Sequence, residues 1–327
     1  MSKMLRLVLV GFIVIGLLFS QSNQVLAGEV LGVHILHPYE LDDVLGLIRT
    51  EQNKDSWQYV TIVYGLDDIV QHDEWQRFFD RCREQKIIPI VRLVTKADGA
   101  SWRVPSTMDI VRLADGLSQL NWPTDERLII AFNEPNHANE WGGKVDPESY
   151  ADTLQFTADW FHTEDKGYKI LPAGLDLAAP NGGSTMEAFT FWKKSLEYNP
   201  RLLDSVDDWN SHSYPNPGFS SSPTRNTQNS LRGFQHELSF LKNYSDREWG
   251  VYITETGWEQ NASTSRWLSQ YYQYAVDHIW SDPHVKAVTP FLLHGAPGPF
   301  SSFSFFDRQG NKTLQYQAYR KVIENTK

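Results

Sequence analysis

The sequence predicts an α/β fold, namely a single-domain (β/α)₈ (TIM) barrel. Three observations support this prediction: short β-branched apolar runs alternate with segments of helical apolar spacing, eight such strand–helix units can be counted, and the order stays strand then helix throughout. Strands buried on both faces of a parallel sheet show such continuous apolar runs. A chain of 327 residues is also long enough for one barrel of this kind.

Each unit pairs a short apolar run with an amphipathic segment, as in Ile110, Leu113 and Leu117, which recur at helical spacing. The predicted strands cover residues 29–37, 59–64, 87–94, 128–132, 169–175, 206–213, 251–254 and 285–293. The predicted helices cover residues 40–51, 73–85, 108–120, 147–161, 184–197, 228–243, 265–280 and 314–324. The polar stretches 214–229 and 295–304 follow strands 6 and 8, so we interpret them as walls of a cleft.

Residues 1–27 are typical of an export signal, which leaves residues 28–327 as the folded domain. Lys3 and Arg6 precede an apolar run that is too short to span a bilayer comfortably, and Val25 and Ala27 supply the small residues of a cleavage site. We therefore expect cleavage after Ala27, a secreted or extracytoplasmic location and no stable membrane insertion. An uncleaved membrane anchor is the alternative.

The composition excludes several classes of partner. A hydrophobic share of 41% and a charged share of 21% indicate a globular chain. Without Lys3 and Arg6, 28 of the 30 basic residues remain against 40 acidic residues, and this excess of negative charge argues against nucleic acid. The only cysteine, Cys82, permits no internal disulfide. We expect a monomer with neither metal nor organic cofactor.

Two glutamates follow predicted strands and are the strongest candidates for catalysis. Glu134 comes shortly after strand 4, and Glu255 comes directly after strand 7. Both are therefore expected at the C-terminal face of the barrel, across its mouth from each other. Two such carboxylates can flank one glycosidic bond, with a separation of roughly 5–5.5 Å for retention and roughly 6.5–9.5 Å for inversion.

The neighbours of these glutamates suit the same chemistry. Asn133 can hydrogen-bond a sugar hydroxyl beside the reacting carbon. Arg92 is a lone cation in an apolar strand, so it should be paired, and pairing with Glu255 would lower the pKa of that carboxyl. His212 and Tyr214 share one face of strand 6 by the period of two, and the phenol is expected to hold the nucleophile ionised.

Three motifs carry a resemblance to a known clan of enzymes: Asn133-Glu134-Pro135, Glu255-Thr256-Gly257 and His212-Ser213-Tyr214. The chain resembles clan A of the retaining (β/α)₈ glycoside hydrolases, which includes the family 5 cellulases and mannanases and the family 39 enzymes. The resemblance covers nearly the whole mature chain. It implies that Glu134 is the general acid/base and that Glu255 is the nucleophile of a double displacement.

Further side chains are candidates for substrate binding. His34 lies on strand 1, and His294 ends strand 8, where families of this clan often carry a Trp. Trp102, Trp141 and Trp258 follow strands 3, 4 and 7, and each can either stack on a sugar ring or pack in the core. The histidines can equally be packing residues.

The sequence thus predicts a retaining glycoside hydrolase for β-linked poly- or oligosaccharides. The alternative is a glycan-binding barrel that has lost catalytic activity. A third hypothesis is a membrane-tethered barrel that acts on the cell's own wall. Asp176, which ends strand 5, is expected to be structural.

Overall fold

Parallel strands that alternate with helices form the frame of the computed structural model, which describes residues 29–326. The eight strands are β1 Val33–Ile35, β2 Gln58–Gly65, β3 Ile87–Val94, β4 Arg127–Ala131, β5 Tyr168–Pro172, β6 Trp209–His212, β7 Val251–Glu255 and β8 Val285–Val288. The eight main helices are α1 Leu41–Ile48, α2 His72–Glu84, α3 Thr107–Ser118, α4 Pro147–Glu164, α5 Ala188–Tyr198, α6 Gly233–Leu241, α7 Leu268–His278 and α8 Leu314–Asn325.

Smaller elements decorate this frame. A hairpin of Ala97–Asp98 and Ser101–Trp102 follows β3, and a one-turn helix, Leu202–Ser205, precedes β6. The predicted export segment, residues 1–27, lies outside the described residues. Across residues 29–326, none of the helices has both the length and the apolar character that a bilayer crossing requires.

The strands form two parallel sheets, one of β1 to β5 in chain order and one of β6, β7 and β8. Single parallel bridges join the sheets at both seams, Leu31 with Val288 and Asp176 with His212. At the first seam the Gly32 N–H donates to the Val288 carbonyl at 2.8 Å. The predicted α/β class with parallel strands is therefore confirmed, whereas the ladders of the described strands do not run unbroken around a barrel.

Strand ends differ most from the prediction at β1 and β8. Both are shorter than the sequence indicated, and β8 ends at Val288 instead of residue 293. Pro290 explains this because it has no N–H to donate to a ladder. The residues after Val288 consequently form a loop, which matters for the site described below.

Apolar side chains fill the space between the strands and also the space between strands and helices. The inner cluster draws on alternate positions of several strands and consists of Ile90, Leu128, Ile130, Leu171, Tyr252 and Ala287. Each fully buried aliphatic side chain contributes roughly 1.5–3 kcal/mol. Arg92 lies two residues after Ile90 and therefore points to the same interior side, at the mouth of the strands.

Helix α6 supplies a buried carboxyl that anchors β6. The Trp209 indole N–H donates to Glu237 Oε1 at 3.1 Å, and the Ser211 hydroxyl donates to the other oxygen. Burial raises the pKa of Glu237 to about 7, although these two hydrogen bonds oppose the shift. No sequence pattern predicted this buried carboxyl, because a lone glutamate on a helix resembles a solvent-exposed one.

We expect Glu237→Gln to stabilise the protein above pH 7. The pKa of Glu237 is raised on folding, so its contribution to stability is complete below about pH 4.5 and is lost as the pH rises through about 7. Glutamine keeps an oxygen for Trp209 and cannot ionise. Urea unfolding at pH 5 and 8.5 should give a free-energy gain that grows with pH, toward about 3 kcal/mol at most. Glu164→Gln, at an exposed position, is the control, and equal gains at both pH values would contradict the prediction.

Candidate active site

Glu134 and Glu255 lie close together at the C-terminal ends of the strands. Glu134 follows β4 and Glu255 is the last residue of β7. His212, at the end of β6, stands between them, with its Nδ1 at 2.8 Å from Glu134 Oε1 and 3.8 Å from Glu255 Oε2. One oxygen of each carboxylate and a ring nitrogen of His212 all lie within 4.8 Å of one another. The two carboxylates are thus near enough to flank a single bond.

Glu255 is surrounded by donors and positive charge. Arg92 Nη1 donates to Glu255 Oε1, and the Tyr214 hydroxyl donates to Oε2 at 3.0 Å. His34 Nδ1 lies 4.0 Å from Oε1. Burial alone would raise the pKa of Glu255, but the charges of His212 and Arg92 outweigh burial and lower that pKa to about 2. The pairing predicted for Arg92, and the contact predicted for Tyr214, are both present.

Burial and neighbouring charges shift the pKa values of His212, His34 and Tyr214, the three groups around Glu255. The pKa of His212 is lowered by burial, yet the carboxylates of Glu255 and Glu134 outweigh burial and raise it overall. The pKa of His34 falls to about 3, mainly through burial and then through the nearby Arg92, so His34 is neutral and donates from Nδ1 to the Thr254 carbonyl at 3.2 Å. Burial, followed by the charge of Glu255, raises the pKa of Tyr214, which keeps the phenol protonated as a donor.

The backbone that carries Glu134 adopts an unusual conformation. Phe132 has φ of +72° and Glu134 has φ of +31°, both in the left-handed region that residues with a Cβ rarely occupy. Such conformations cost of order 1–3 kcal/mol each and cluster at functional sites. The Glu134 N–H donates to the Gly174 carbonyl at 3.2 Å, which ties the loop after β4 to the end of β5.

A hydrogen-bond chain leads from Glu255 to a carboxylate that the sequence did not single out. Arg92 Nη1 donates to Asn133 Oδ1 at 2.8 Å, and Asn133 Nδ2 donates to Glu140 Oε2 at 3.1 Å. Burial raises the pKa of Glu140, and the Asn133 amide partly offsets this effect. Glu140 lies in the short 3₁₀ turn Ala138–Glu140, where no periodic pattern could have indicated its direction.

These residues line a cavity of about 670 Å³, to which β3, the hairpin after it and adjoining residues contribute Arg92, Thr95, Trp102 and Arg103. The rest of the lining has a polar side and an apolar side. The polar side comes from the loops after β4 and β5 and consists of Asn133, Glu134, His137, Asn139, Glu140 and Asp176. The apolar side comes from the ends of β1 and the loops after β6 and β8 and consists of Leu36, Phe219, Phe291, Leu292, Pro299, Phe300 and Phe303. Such a mixture of apolar walls and a few convergent polar groups is typical of a ligand site.

Asp176 was expected to be structural, but the structure places it on the cavity wall beside His137. His137 Nε2 hydrogen-bonds Asp176 Oδ2 at 2.9 Å. This hydrogen bond raises the pKa of His137, although burial opposes the shift. Burial alone would raise the pKa of Asp176, but the hydrogen bond with His137 helps to lower that pKa overall. This contact could not be predicted from the sequence, because the two residues are far apart along the chain and meet only in the folded protein.

Five further residues were predicted from sequence as candidates to contact a sugar, and they differ in position. Trp102 lines the cavity and is 38% exposed. Trp141 lines the cavity but is almost fully buried, with its ring against Phe132 and Tyr150. His34 lies beneath Glu255 and is fully buried. The other two do not line the cavity: Trp258 and His294.

Of the two roles that the sequence left open for His294, its position favours packing, because β8 ends early. His294 lies in the following loop, where Nε2 hydrogen-bonds Asp43 Oδ2 at 2.8 Å and the ring stacks on Phe306. Phe291 occupies the cavity wall instead, with its ring 5.2 Å from that of His34. For Trp258 the position also favours the packing alternative, since its buried indole donates to the Ser221 carbonyl at 2.8 Å.

Glu134, His212 and Glu255 could geometrically also hold a metal ion. Their donor atoms are, however, already engaged with one another and with Arg92 and Tyr214. Because Arg92 supplies a positive charge at Glu255, the residues fit a carboxylate pair better than a cation site. The sequence prediction of no metal and no cofactor stays a prediction.

Comparison with solved structures identifies the fold. A monomeric β-xylosidase from Caulobacter crescentus superposes with a TM-score of 0.62 at 15% identity, over 90% of this chain and 67% of that enzyme. A glycoside hydrolase of family 39 from Xanthomonas axonopodis pv. citri gives a TM-score of 0.62 at 14% identity, over 91% and 66%. This chain therefore spans about two thirds of the length of either enzyme.

A third solved structure matches along its whole length. An endo-β-1,4-glucanase from Xanthomonas axonopodis pv. citri gives a TM-score of 0.57 at 13% identity, over 91% of this chain and 99% of that one. No family model matches the chain, and no curated protein matches it either. The resemblance indicated by the sequence motifs is thus confirmed for the fold, which is that of glycoside hydrolases of this clan.

Proposed function

We propose that the protein is a retaining glycoside hydrolase with a (β/α)₈ barrel that cleaves β-linked oligo- or polysaccharides. One observation carries the proposal: Glu134, which follows β4, and Glu255, the last residue of β7, line one cavity and have carboxylate oxygens within 4.8 Å of each other. So close an approach of the oxygens favours double displacement, for which the carboxyl groups lie roughly 5–5.5 Å apart, over inversion, for which they lie roughly 6.5–9.5 Å apart. The fold shared with β-xylosidases and endoglucanases supports the same class of reaction.

The two carboxylates take different roles in the proposed reaction. Glu255 attacks the anomeric carbon as the bond to the leaving oxygen breaks, and Glu134 donates a proton to that oxygen. Water then attacks the glycosyl–enzyme ester, Glu134 takes its proton, and Glu255 leaves as a carboxylate. The lowered pKa of Glu255 supports the nucleophile role because that group stays ionised across the whole working pH range.

Hydrolysis of a substrate panel tests the proposal. The chain from residue 28 onward would be incubated with soluble β-glycans and aryl β-glycosides, and reducing sugar would be measured. The anomeric configuration of the first product, followed by NMR, should be the same as that of the substrate. An inverted product would contradict the roles assigned here. Folded protein that binds a glycan without cleaving any member would favour the glycan-binding alternative.

We expect Asp176→Asn to weaken turnover of a disaccharide more than that of an aryl glycoside. Asp176 and His137 form a partly exposed hydrogen-bonded pair on the Glu134 side of the cavity, where a departing sugar would lie. Loss of one such hydrogen bond should lower kcat/KM on the disaccharide about tenfold. Asp159→Asn, on the exposed face of α4, serves as the control. An equal loss on both substrates would show that Asp176 does not contact the leaving sugar.

The predictions on location and assembly also belong to the proposal. Export rests on the sequence of residues 1–27, and N-terminal sequencing of protein recovered from the culture medium should start at Gly28. A monomer in solution, with no affinity for nucleic acid, is expected from the negative net charge and the self-contained cavity. Size-exclusion chromatography shows whether the protein is a monomer.

A further inference from the structure

We infer that the cavity is closed on the Glu255 side and therefore removes single sugars from the non-reducing end of its substrate. This inference rests on the proposed function and adds the mode of attack. The solved structures with the same fold include both a β-xylosidase and an endoglucanase, so the fold leaves the mode open. The loops that follow β6, β7 and β8 are the features that decide it.

These three loops are tied to one another by hydrogen bonds. The Glu259 N–H donates to the Phe219 carbonyl at 2.9 Å, which joins the loop after β7 to the loop after β6. The Gln260 N–H donates to the Ser302 carbonyl at 2.7 Å, which joins it to the loop after β8. The buried Trp258 adds its own bond to the loop after β6. The loops thus form one continuous wall.

The cavity face of this wall is a set of aromatic rings in mutual contact. Phe219 lies 5.0 Å from Tyr214 and 5.2 Å from Phe303, measured between ring centroids. Phe300 lies 5.0 Å from Phe291. Phe219 and Phe300 are 36% and 47% exposed, as expected for rings that face a cavity and not the core. We call these four phenylalanines the aromatic wall.

The aromatic wall stands on the side of the nucleophile. Tyr214, which contacts Phe219, donates to Glu255, while Phe291 contacts His34, which neighbours Glu255. In double displacement the sugar that is transferred stays on the nucleophile, and the leaving group departs past the acid. The wall therefore bounds the transferred sugar, whereas the rest of the chain departs past Glu134, toward His137 and Asp176 on the cavity wall.

A second sugar on the walled side would be unfavourable even if the loops moved slightly. The aromatic wall offers carbon surface and no hydrogen-bond partner, so hydroxyl groups pressed against it would lose their water. Burial of a hydroxyl without a hydrogen-bond partner is unfavourable. A single transferred sugar can instead place its hydroxyls toward Asn133 and Glu140 and its C–H face toward the rings.

The product pattern from labelled oligosaccharides tests the inference. Oligosaccharides of the linkage that the panel identifies, labelled at the reducing end, would be digested and sampled early. We expect monosaccharide and a labelled product shorter by one sugar, with the viscosity of the parent polymer unchanged. Early release of di- or trisaccharides with a fall in viscosity would overturn the inference and leave the proposed function intact. Absence of any hydrolysis would overturn both.

Opening the wall should change this pattern. In Phe219→Ala we expect the ratio of disaccharide to monosaccharide among early products to rise about tenfold, or ~1.4 kcal/mol. Phe300→Ala is a second opening variant at the other end of the wall, should Phe219→Ala fold poorly. Tyr244→Ala, at an exposed aromatic that does not line the cavity, is the control. An unchanged ratio in both opening variants would count against the closed side.

Discussion

Glu255→Gln is expected to abolish hydrolysis of every substrate that the wild type cleaves. Glutamine keeps the shape of the side chain and its contact with the Tyr214 hydroxyl, but it cannot form the glycosyl ester. Loss of a covalent nucleophile lowers kcat by on the order of 10⁴–10⁶-fold. Initial rates on an aryl β-glycoside with a good leaving group provide the measurement, because slow residual turnover remains visible there.

A trapping experiment separates a lost nucleophile from a damaged fold. A 2-fluoro glycoside should leave a covalent sugar on the wild type, and peptide mapping should locate it at Glu255. Glu255→Gln should remain unlabelled while circular dichroism matches that of the wild type. Glu164→Gln, at an exposed site on α4, should behave like the wild type. Labelling of any other carboxylate would disprove the assigned role.

Among the variants named above, Arg92→Met is expected to lower the free energy of unfolding the most. Arg92 is only 8% exposed, and its guanidinium contacts both Glu255 and Asn133. Its removal leaves Glu255 buried with less positive charge around it, and breaking such a pair costs about 3–5 kcal/mol. Chemical unfolding at pH 7 measures the loss. Arg92→Lys keeps the charge without the planar fork, so its loss should be intermediate.

The same variant should change the response to acid. The pKa of Glu255 is lowered on folding, so its contribution to stability is present above about pH 4.5 and is lost as the pH falls toward about 2. Without Arg92 that pKa rises, and the acid limb of activity should move to higher pH. In the double variant Arg92→Met, Glu255→Gln no buried charge is left unpaired. The double variant should therefore be more stable than Arg92→Met, and a lower stability would contradict the pairing.

Regular elements of the fold could be predicted because their apolar spacing is set by burial. Most strands and helices of residues 29–326 overlap the predicted segments, since strands buried on both faces and amphipathic helices have distinct patterns. Element ends could not be predicted as well. The end of β8 depended on Pro290 and on how the following loop packs, and this shift of a few residues exchanged Phe291 for His294 at the cavity.

The residues of the candidate site also fall into two groups, those that could be predicted from the sequence and those that could not. Arg92, His212, Tyr214 and Glu255 lie on or directly after strands, so a period of two indicated that they converge. Glu140, His137 and the aromatic wall come from irregular loops, in which sequence spacing says nothing about direction. Their partners lie far away along the chain, as in the contact of His137 with Asp176. Only the folded chain brings such residues together.

At the seam between β5 and β6, Gly174 affects the distance between the two carboxylates although it has no side chain. Glu134 follows a strand of one sheet and Glu255 ends a strand of the other, so the gap between the carboxylates depends on how the two sheets are aligned. At Gly174 an added Cβ would lie 2.2 Å from His212 Cδ2. Even an alanine there would push His212 away and alter that gap. The absence of a side chain at this backbone position thus helps to set the distance between Glu134 and Glu255.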